Sequence, residues 1–356
     1  MKNVMKRYDS IQVIRAIAMI IVFISHSGAF IANKYLWGAI GVTIFMVLSG
    51  FCLFISKDEA EDGLKTKKER MLGGGEYLVT QIKKFYPLYL VMILVSLPVK
   101  VDWSLSIGET ISYLIKYGVP SCLMIQSYIP DTTYAMSFNN VAWYLSTITL
   151  FYFVGYEVIH ICKYICTTKM KCIFMLCLII CFQIILACIV QKATNYTAGS
   201  PNSIAYWLIY INPFFRLGDF CLGIITGICY KKQYFKVNWV TLVASIAVLV
   251  VMIKYCWKLQ GILGYAGFYT LGAVMFIYNM VGMERIISKY GRPLVWLGNI
   301  SFEIYLLHRM ILIYMQKMCD NGILNRYVGY VIAIILTIGI AEVIHVCKKF
   351  ALKKRG

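Results

Sequence analysis

The chain has 356 residues, 60% of them hydrophobic and 14% charged, with a mean hydropathy of +0.72. A soluble protein carries about 25% charged residues, and one or two compact cores cannot conceal this much apolar surface. These values argue against a soluble enzyme, a disordered scaffold or a nucleic-acid binder. They point to an all-α polytopic membrane protein whose net charge of +19 sits in short Lys/Arg clusters between apolar runs.

A helix needs about 20 mostly apolar residues to cross a hydrocarbon core of about 30 Å. Ten runs meet this requirement: 11–31, 36–56, 82–99, 141–162, 172–190, 207–229, 239–256, 261–281, 294–316 and 327–347. Residues 109–128 contain Lys116 and Pro120 and are expected to be interfacial or re-entrant rather than spanning. With both termini cytoplasmic, the inner segments and the mouth of the third run hold 24 basic residues against eight on the other side. That bias follows the positive-inside rule. The first run carries Arg15 and His26 and leads directly into the second, so it is expected to be retained rather than cleaved. Residues 1–356 are read as a single membrane domain with no appended soluble domain, and 57–81 as a charged cytoplasmic loop. Gly73-Gly74-Gly75 within it is expected to be a flexible connector, because it lacks the GKS/T ending of a phosphate loop. The 13 cysteines fall mainly inside apolar runs, where they act as small hydrophobes, and no metal site is expected.

An ionisable side chain at membrane depth is costly and marks a functional site by default. Arg15 and His26 lie on the first run, Arg216 and Asp219 on the sixth, and Glu303, His308 and Arg309 on the ninth. Lys83 and Lys84 guard the mouth of the third. Arg15 and His26 are eleven residues apart, within about 20° of three helical turns, so they share one face roughly 16 Å apart in depth. The spacing suits an elongated anionic ligand, with the guanidinium on a phosphate and the imidazole at the reactive end. The alternative has Arg15 snorkelling to the interface and His26 bonded to a neighbouring helix. Arg216 and Asp219, at i and i+3, favour a structural ion pair. Glu303 and His308 diverge by about 140° and cannot both face one site. His308 lies at a depth similar to His26, so a two-histidine site is open alongside a single-histidine one. Gly38, Gly41, Ser49, Gly50, Gly218 and Gly223 permit close helix approach. Trp143, Tyr144, Trp207, Trp239 and Trp257 fall near run ends and suggest an aromatic belt.

Six blocks carry a resemblance. Ile14-Arg15-Ala16-Ile17-Ala18 precedes Phe23-Ile24-Ser25-His26, and Gly41 precedes Phe45-Met46-Val47-Leu48-Ser49-Gly50-Phe51. Lys84-Phe85-Tyr86-Pro87-Leu88-Tyr89 opens the third run, and Trp143-Tyr144-Leu145-Ser146 with Phe151-Tyr152 follows in the fourth. Arg216-Leu217-Gly218-Asp219-Phe220 and Gly298-Asn299-Ile300-Ser301 through Tyr305-Leu306-Leu307-His308 complete the order. In this arrangement the sequence resembles the bacterial integral-membrane acyltransferase family called acyltransferase 3, which includes O-acetyltransferases of surface polysaccharides.

The resemblance implies an acyl-CoA donor used from the cytoplasmic side and a hydroxyl acceptor on a glycan or lipid-linked sugar. It implies His26 as the essential histidine, deprotonating the acceptor or relaying the acyl group, with Arg15, Lys83 and Lys84 on CoA phosphates. Ser49, Ser301 and His308 join Arg216 and Asp219 as residues expected to contact substrate or support the site. Gln81 and Lys84 stand where the family has two arginines, Gln12 where it has an acidic residue, and Ile148 and Thr149 where a Glu often follows the Trp block. The expected function is therefore transfer of a short acyl group, acetyl, to a cell-envelope polysaccharide or its lipid-linked precursor in the bacterial cytoplasmic membrane. The expected partners are acyl-CoA, the acceptor and membrane lipids, with no nucleic acid. The rival readings are a transporter or flippase, and a non-catalytic partner in glycan assembly.

Overall fold

A computed structural model describes residues 8–30, 37–196, 204–255, 265 and 267–353. The described residues are helical throughout their regular structure, with no strand among them. The first half runs α1 (Asp9–Ser25), α2 (Trp37–Asp62), α3 (Lys67–Lys100), the short α4 (Ile107–Tyr113), α5 (Val119–Cys122) and α6 (Thr132–Met136), then α7 (Trp143–Ile165) and α8 (Lys169–Thr194). The second runs α9 (Ile204–Tyr206), α10 (Pro213–Lys231), α11 (Trp239–Tyr255), α12 (Thr270–Gly282), α13 (Glu284–Tyr290), α14 (Arg292–Asn299), α15 (Ser301–Asp320) and α16 (Arg326–Lys353). Single π-helical turns, Leu114–Gly118 and Trp207–Ile211, join α4 to α5 and lead from α9 towards α10.

Six described helices are long and apolar enough to cross a membrane, namely Gly38–Asp62, Lys67–Lys100, Trp143–Ile165, Lys169–Thr194, Ile204–Lys231 and Arg326–Phe350. The pair α12 and α13, bent by 76°, makes a seventh if it is one broken span. This is fewer than the ten apolar runs of the sequence, for physical reasons. At 17 residues each, α1 and α11 reach about 26 Å, the lower limit for a spanning helix rather than a long one. The run 294–316 is divided at Ile300 between α14 and α15, and α15 carries Glu303, Arg309 and Lys317. Part of the eighth run, 261–264 and 266, lies outside the described residues, as does Trp257.

The core forms around α2, against which α1, α7, α10 and α12 all pack. Glycines set the closest crossings. A Cβ on Gly50 would collide with the Phe220 carbonyl oxygen of α10, and one on Gly223 would collide with the Val47 carbonyl oxygen of α2. At Gly41 a Cβ would lie 2.7 Å from the Ala18 carbonyl oxygen of α1. Small residues thus let backbones touch where lipid supplies no hydrophobic drive for association. Gly223→Leu is expected to abolish the monodisperse folded peak in detergent size-exclusion chromatography. Gly75→Ala, where a methyl meets nothing within 4 Å, is expected to raise the melting temperature slightly. An unchanged Gly223→Leu profile would refute the backbone-contact account.

The segment 57–81 is not an irregular loop. It consists of the end of α2, a turn at 63–66 and the first four turns of α3. A capping box starts α3: Thr66 Oγ1 accepts from the Glu69 amide at 3.2 Å, and Glu69 Oε2 accepts from the Thr66 amide at 3.0 Å. The Gly73-Gly74-Gly75 triplet is helical, and Gly74 lets α3 approach the Phe153 carbonyl of α7, so close packing replaces the expected flexibility. Charges fasten this end. Arg70 pairs with Glu157 at 2.7 Å, and Lys163 meets Asp58 at 2.8 Å, Glu61 at 3.1 Å and also Asp62.

Residues 107–122 form a helix broken by a π turn, and the segment is anchored rather than spanning. Tyr86 and Tyr89 of α3 donate to the Cys122 and Ser121 carbonyls at 2.7 and 2.5 Å. Ile107, Ile111, Ile115, Val119 and Leu123 remain exposed. Outward residues of α8 such as Phe174, Leu178, Phe182, Ile185 and Ile189 are likewise exposed and apolar, a surface suited to hydrocarbon.

Candidate active site

The α1 helix stops at His26, whose amide still bonds back to Val22 and Phe23 while Ser27 and Gly28 turn the chain away. This end meets the middle of α15, where His308 is fully buried. His26 Nδ1 lies 3.0 Å from His308 Nε2. His308 Nδ1 lies 2.8 Å from the Tyr305 carbonyl and 3.1 Å from the Ile304 carbonyl of its own helix.

Those contacts fix the tautomers. A carbonyl can only accept, so His308 Nδ1 carries a proton and donates it; the neutral ring then has a lone pair on Nε2. His26 Nδ1–H donates to that lone pair, which leaves His26 Nε2 unprotonated. The sequence thus brings two imidazoles together from positions 282 residues apart and presents one basic nitrogen.

A cavity of ≈ 130 Å³ opens beside this pair, lined by His26, Asn140, Trp143, Tyr206, Tyr210 and Tyr305 together with apolar residues of α1 and α2. Arg309, the neighbour of His308, donates from Nε to Asn140 Oδ1 at 3.3 Å and from Nη1 to the His26 carbonyl at 3.4 Å. Asn139 donates to the Leu306 carbonyl at 2.9 Å, and the Tyr305 hydroxyl donates to the Val141 carbonyl, so the turn before α7 is bolted to α15.

Nearer the other end of α1, the partly buried Arg15 lies beside Cys52 of α2, and its charge reaches Tyr77, Tyr144 and Tyr152. It bonds Gln12 Oε1 at 3.5 Å, and among the described residues no carboxylate pairs with it. Lys57 Nζ sits 5.3 Å from the centre of the Tyr77 ring, and Lys84 lies near Lys57 with a 3.3 Å bond to Gln81. Arg15, Lys57 and Lys84 therefore gather positive charge around Tyr77. Lys83 is exposed, and no contact among the described residues joins it to Arg15.

Tyr144 connects the two ends. Its hydroxyl is 3.0 Å from Ser49 Oγ, which itself donates to the Phe45 carbonyl at 2.7 Å. Its ring stands edge-on to Tyr305, 5.6 Å between centres, and Tyr305 lines the His26 cavity. Tyr144 and Tyr305 therefore lie between the positive cluster and the imidazoles.

Arg216 and Asp219 are both fully buried and pair at 2.9 Å. Arg216 also donates to Thr43 Oγ1 at 3.2 Å, and Asp219 accepts from Gln183 at 3.0 Å and Thr270 at 3.3 Å. They tie α10 to α2, α8 and α12. Ser301 Oγ donates to the Gly298 carbonyl at 2.7 Å across the break between α14 and α15. Glu303 turns away from His308 and pairs with Lys348 at 2.8 Å.

Sequence reading missed Asn140, Tyr305, Tyr210 and Lys57. The signal for the first was the Asn139-Asn140 pair immediately before an apolar run, where an amide is unexpected without a partner. Trp143 is not part of an interfacial belt; it is 4% exposed and packs against Tyr210 at 4.9 Å. Trp207 is half-buried and donates to the Ser127 carbonyl at 3.0 Å, whereas Trp239 is exposed as a belt residue would be.

This is a multi-pass, all-helical membrane protein with a buried imidazole pair beside a small aromatic cavity. A model of the acyltransferase 3 family, described as an acyltransferase domain, matches residues 8–346. The chain belongs to that family and is a membrane acyltransferase. Nothing among curated proteins or solved structures matches it.

Proposed function

We propose that the protein moves a short acyl group, acetyl, from acyl-CoA to a hydroxyl of a cell-envelope polysaccharide or its lipid-linked precursor. It does so in the bacterial cytoplasmic membrane, crossing it ten times with both termini inside, where the six long helices are joined by α1, α11, the bent α12–α13 pair and the divided α14–α15 as one crossing each. The hydrogen-bonded His26–His308 pair carries this reading, because it leaves a lone pair on His26 Nε2 at the mouth of a cavity.

In the reaction, His26 Nε2 takes the proton of the acceptor hydroxyl as its oxygen attacks the thioester carbonyl. A new C–O bond forms and the carbonyl electron pair moves to oxygen. When that pair returns, the C–S bond breaks and the Nε2 proton goes to the departing thiolate. His308 acts as a positioning residue: its lone pair holds the Nδ1–H of His26, much as the third member of a catalytic triad fixes a tautomer. The cavity favours a short chain, since ≈ 130 Å³ is far below the ~300–1,000 Å³ of pockets for drug-sized ligands.

Arg15, unpaired by any described carboxylate, is the seat for a CoA phosphate, with Lys84 and Lys83 nearer the cytoplasm. The Arg15–His26 spacing of roughly 16 Å then spans the pantetheine arm. Ser49 orients Tyr144 along that route, and Ser301, Arg216 and Asp219 support the helices that carry the site.

The test uses purified protein, radiolabelled acetyl-CoA and a hydroxyl-bearing envelope extract, with thiol release and label transfer followed together. Arg15→Ala is expected to raise the KM for acetyl-CoA about 10- to 100-fold while kcat changes by less than threefold, as loss of a charge-assisted phosphate contact predicts. Wild-type protein that neither binds acetyl-CoA nor releases thiol would refute the donor assignment.

A further inference from the structure

The cavity beside His26 holds a second polar group whose orientation is determined by its neighbour. Asn140 stands in the turn before α7 and lines the cavity with His26. The side-chain atom facing Arg309 Nε at 3.3 Å must be Oδ1, because every polar hydrogen of a guanidinium is a donor. The amide nitrogen therefore points away from Arg309. It makes no hydrogen bond among the described residues, and its residue is only half-buried, so its two N–H groups are left for the cavity.

Two further features turn this amide into a preset donor. Arg309 holds Asn140 Oδ1 and the His26 carbonyl at once, so one guanidinium fixes the amide and the imidazole relative to each other. The Arg309 guanidinium charge held against Oδ1 also draws electron density from the amide and strengthens its N–H as a donor. A fixed donor aimed where negative charge develops in a dry site is the usual basis of transition-state stabilisation in acyl transfer.

We infer that Asn140 is a catalytic residue that donates from Nδ2 to the oxyanion formed when the acceptor oxygen adds to the thioester carbonyl. The inference rests on the acyl-transfer reading above. As the new C–O bond forms, the carbonyl π pair moves to oxygen, and the Asn140 N–H meets it there. When the pair returns and the C–S bond breaks, the Asn140 bond weakens again, and His26 supplies the proton to sulfur. Arg309 does not touch the reacting atoms; it is a positioning residue for both partners.

The test compares Asn140→Asp, Asn140→Ala and Asn140→Ser with wild type and His26→Ala, in detergent, with acetyl-CoA and the acceptor extract. Aspartate keeps the size of asparagine and gives Arg309 a carboxylate to hold, so the fold is retained, yet it offers no donor and repels an oxyanion. The expected result is a kcat lowered ~10²–10³-fold in Asp and Ala with the KM for acetyl-CoA within threefold. Serine, which restores a weaker donor, should fall between Ala and wild type. A kcat within threefold of wild type in Asn140→Asp, with His26→Ala inactive, would overturn the oxyanion role and leave the acyl-transfer reading standing. A wild-type rate in His26→Ala would instead overturn that reading itself. A raised KM with unchanged kcat, or failure of all three Asn140 variants to give a monodisperse peak, would make Asn140 a binding or structural residue and refute the inference.

Discussion

His26→Gln is expected to lower acyl transfer by ~10³-fold or more while leaving acetyl-CoA binding within threefold of wild type. Glutamine approximates the imidazole in size and still offers an amide N–H to His308, so the helix end and the cavity wall remain. What it lacks is a basic nitrogen, and the proton of the acceptor hydroxyl then has nowhere to go. The companion variant His308→Phe removes only the acceptor for His26 Nδ1–H. The tautomer is no longer imposed, and a loss of ~10²-fold in kcat is expected, smaller than the ~10⁴-fold penalty seen when a triad imidazole is held in the wrong tautomer. Equilibrium binding of labelled acetyl-CoA and single-turnover transfer separate the two effects. Equal kcat in wild type and His26→Gln would remove His26 from the chemistry.

That pairing shows where sequence reading succeeds and where it stops. The spacing of Arg15 and His26 is legible because one helix and its C-terminal cap carry both, and helical periodicity alone relates them. The depth of His308 was legible too, from its position along the ninth run. The 3.0 Å contact between the two imidazoles was not, because it depends on α1 and α15 lying side by side, and no local pattern encodes that. The glycines were more informative: Gly41, Gly50 and Gly223 marked close approach, and each meets a backbone carbonyl of another helix.

The misreadings have definite causes. Gly73-Gly74-Gly75 looked like a connector because glycine weakens an isolated helix, but α3 gains a capping box and a close contact with α7 that offset this. Trp143 looked interfacial because it begins an apolar run, whereas the turn before it is bolted to α15 and draws the ring inwards. Apolar-run counting also overstates the number of long helices, since a run such as 294–316 keeps its hydropathy across the break at Ile300. Sequence hydropathy records where chain is apolar; it does not record where the backbone bends.

Arg216→Met is expected to cost about 3–5 kcal/mol of stability, because it leaves Asp219 buried and without its ion partner. Gln183 and Thr270 would still donate to Asp219 Oδ1, but neither supplies the missing charge. Asp219→Leu alone strands the guanidinium in the same way, with Thr43 and the Tyr265 carbonyl as its remaining hydrogen-bond acceptors and the Tyr210 ring 5.8 Å away. The double variant Arg216→Met/Asp219→Leu removes both charges and should recover most of the lost melting temperature, since a well-packed apolar pair often equals a buried ion pair. The pattern separates two roles that single substitutions confuse. If the pair only braces α10 against α2, α8 and α12, the double variant regains folded yield and acyl transfer together. If Arg216 also acts on substrate, folded yield returns while kcat stays low, and Arg216 belongs with His26 and Arg15 rather than with the frame that holds them.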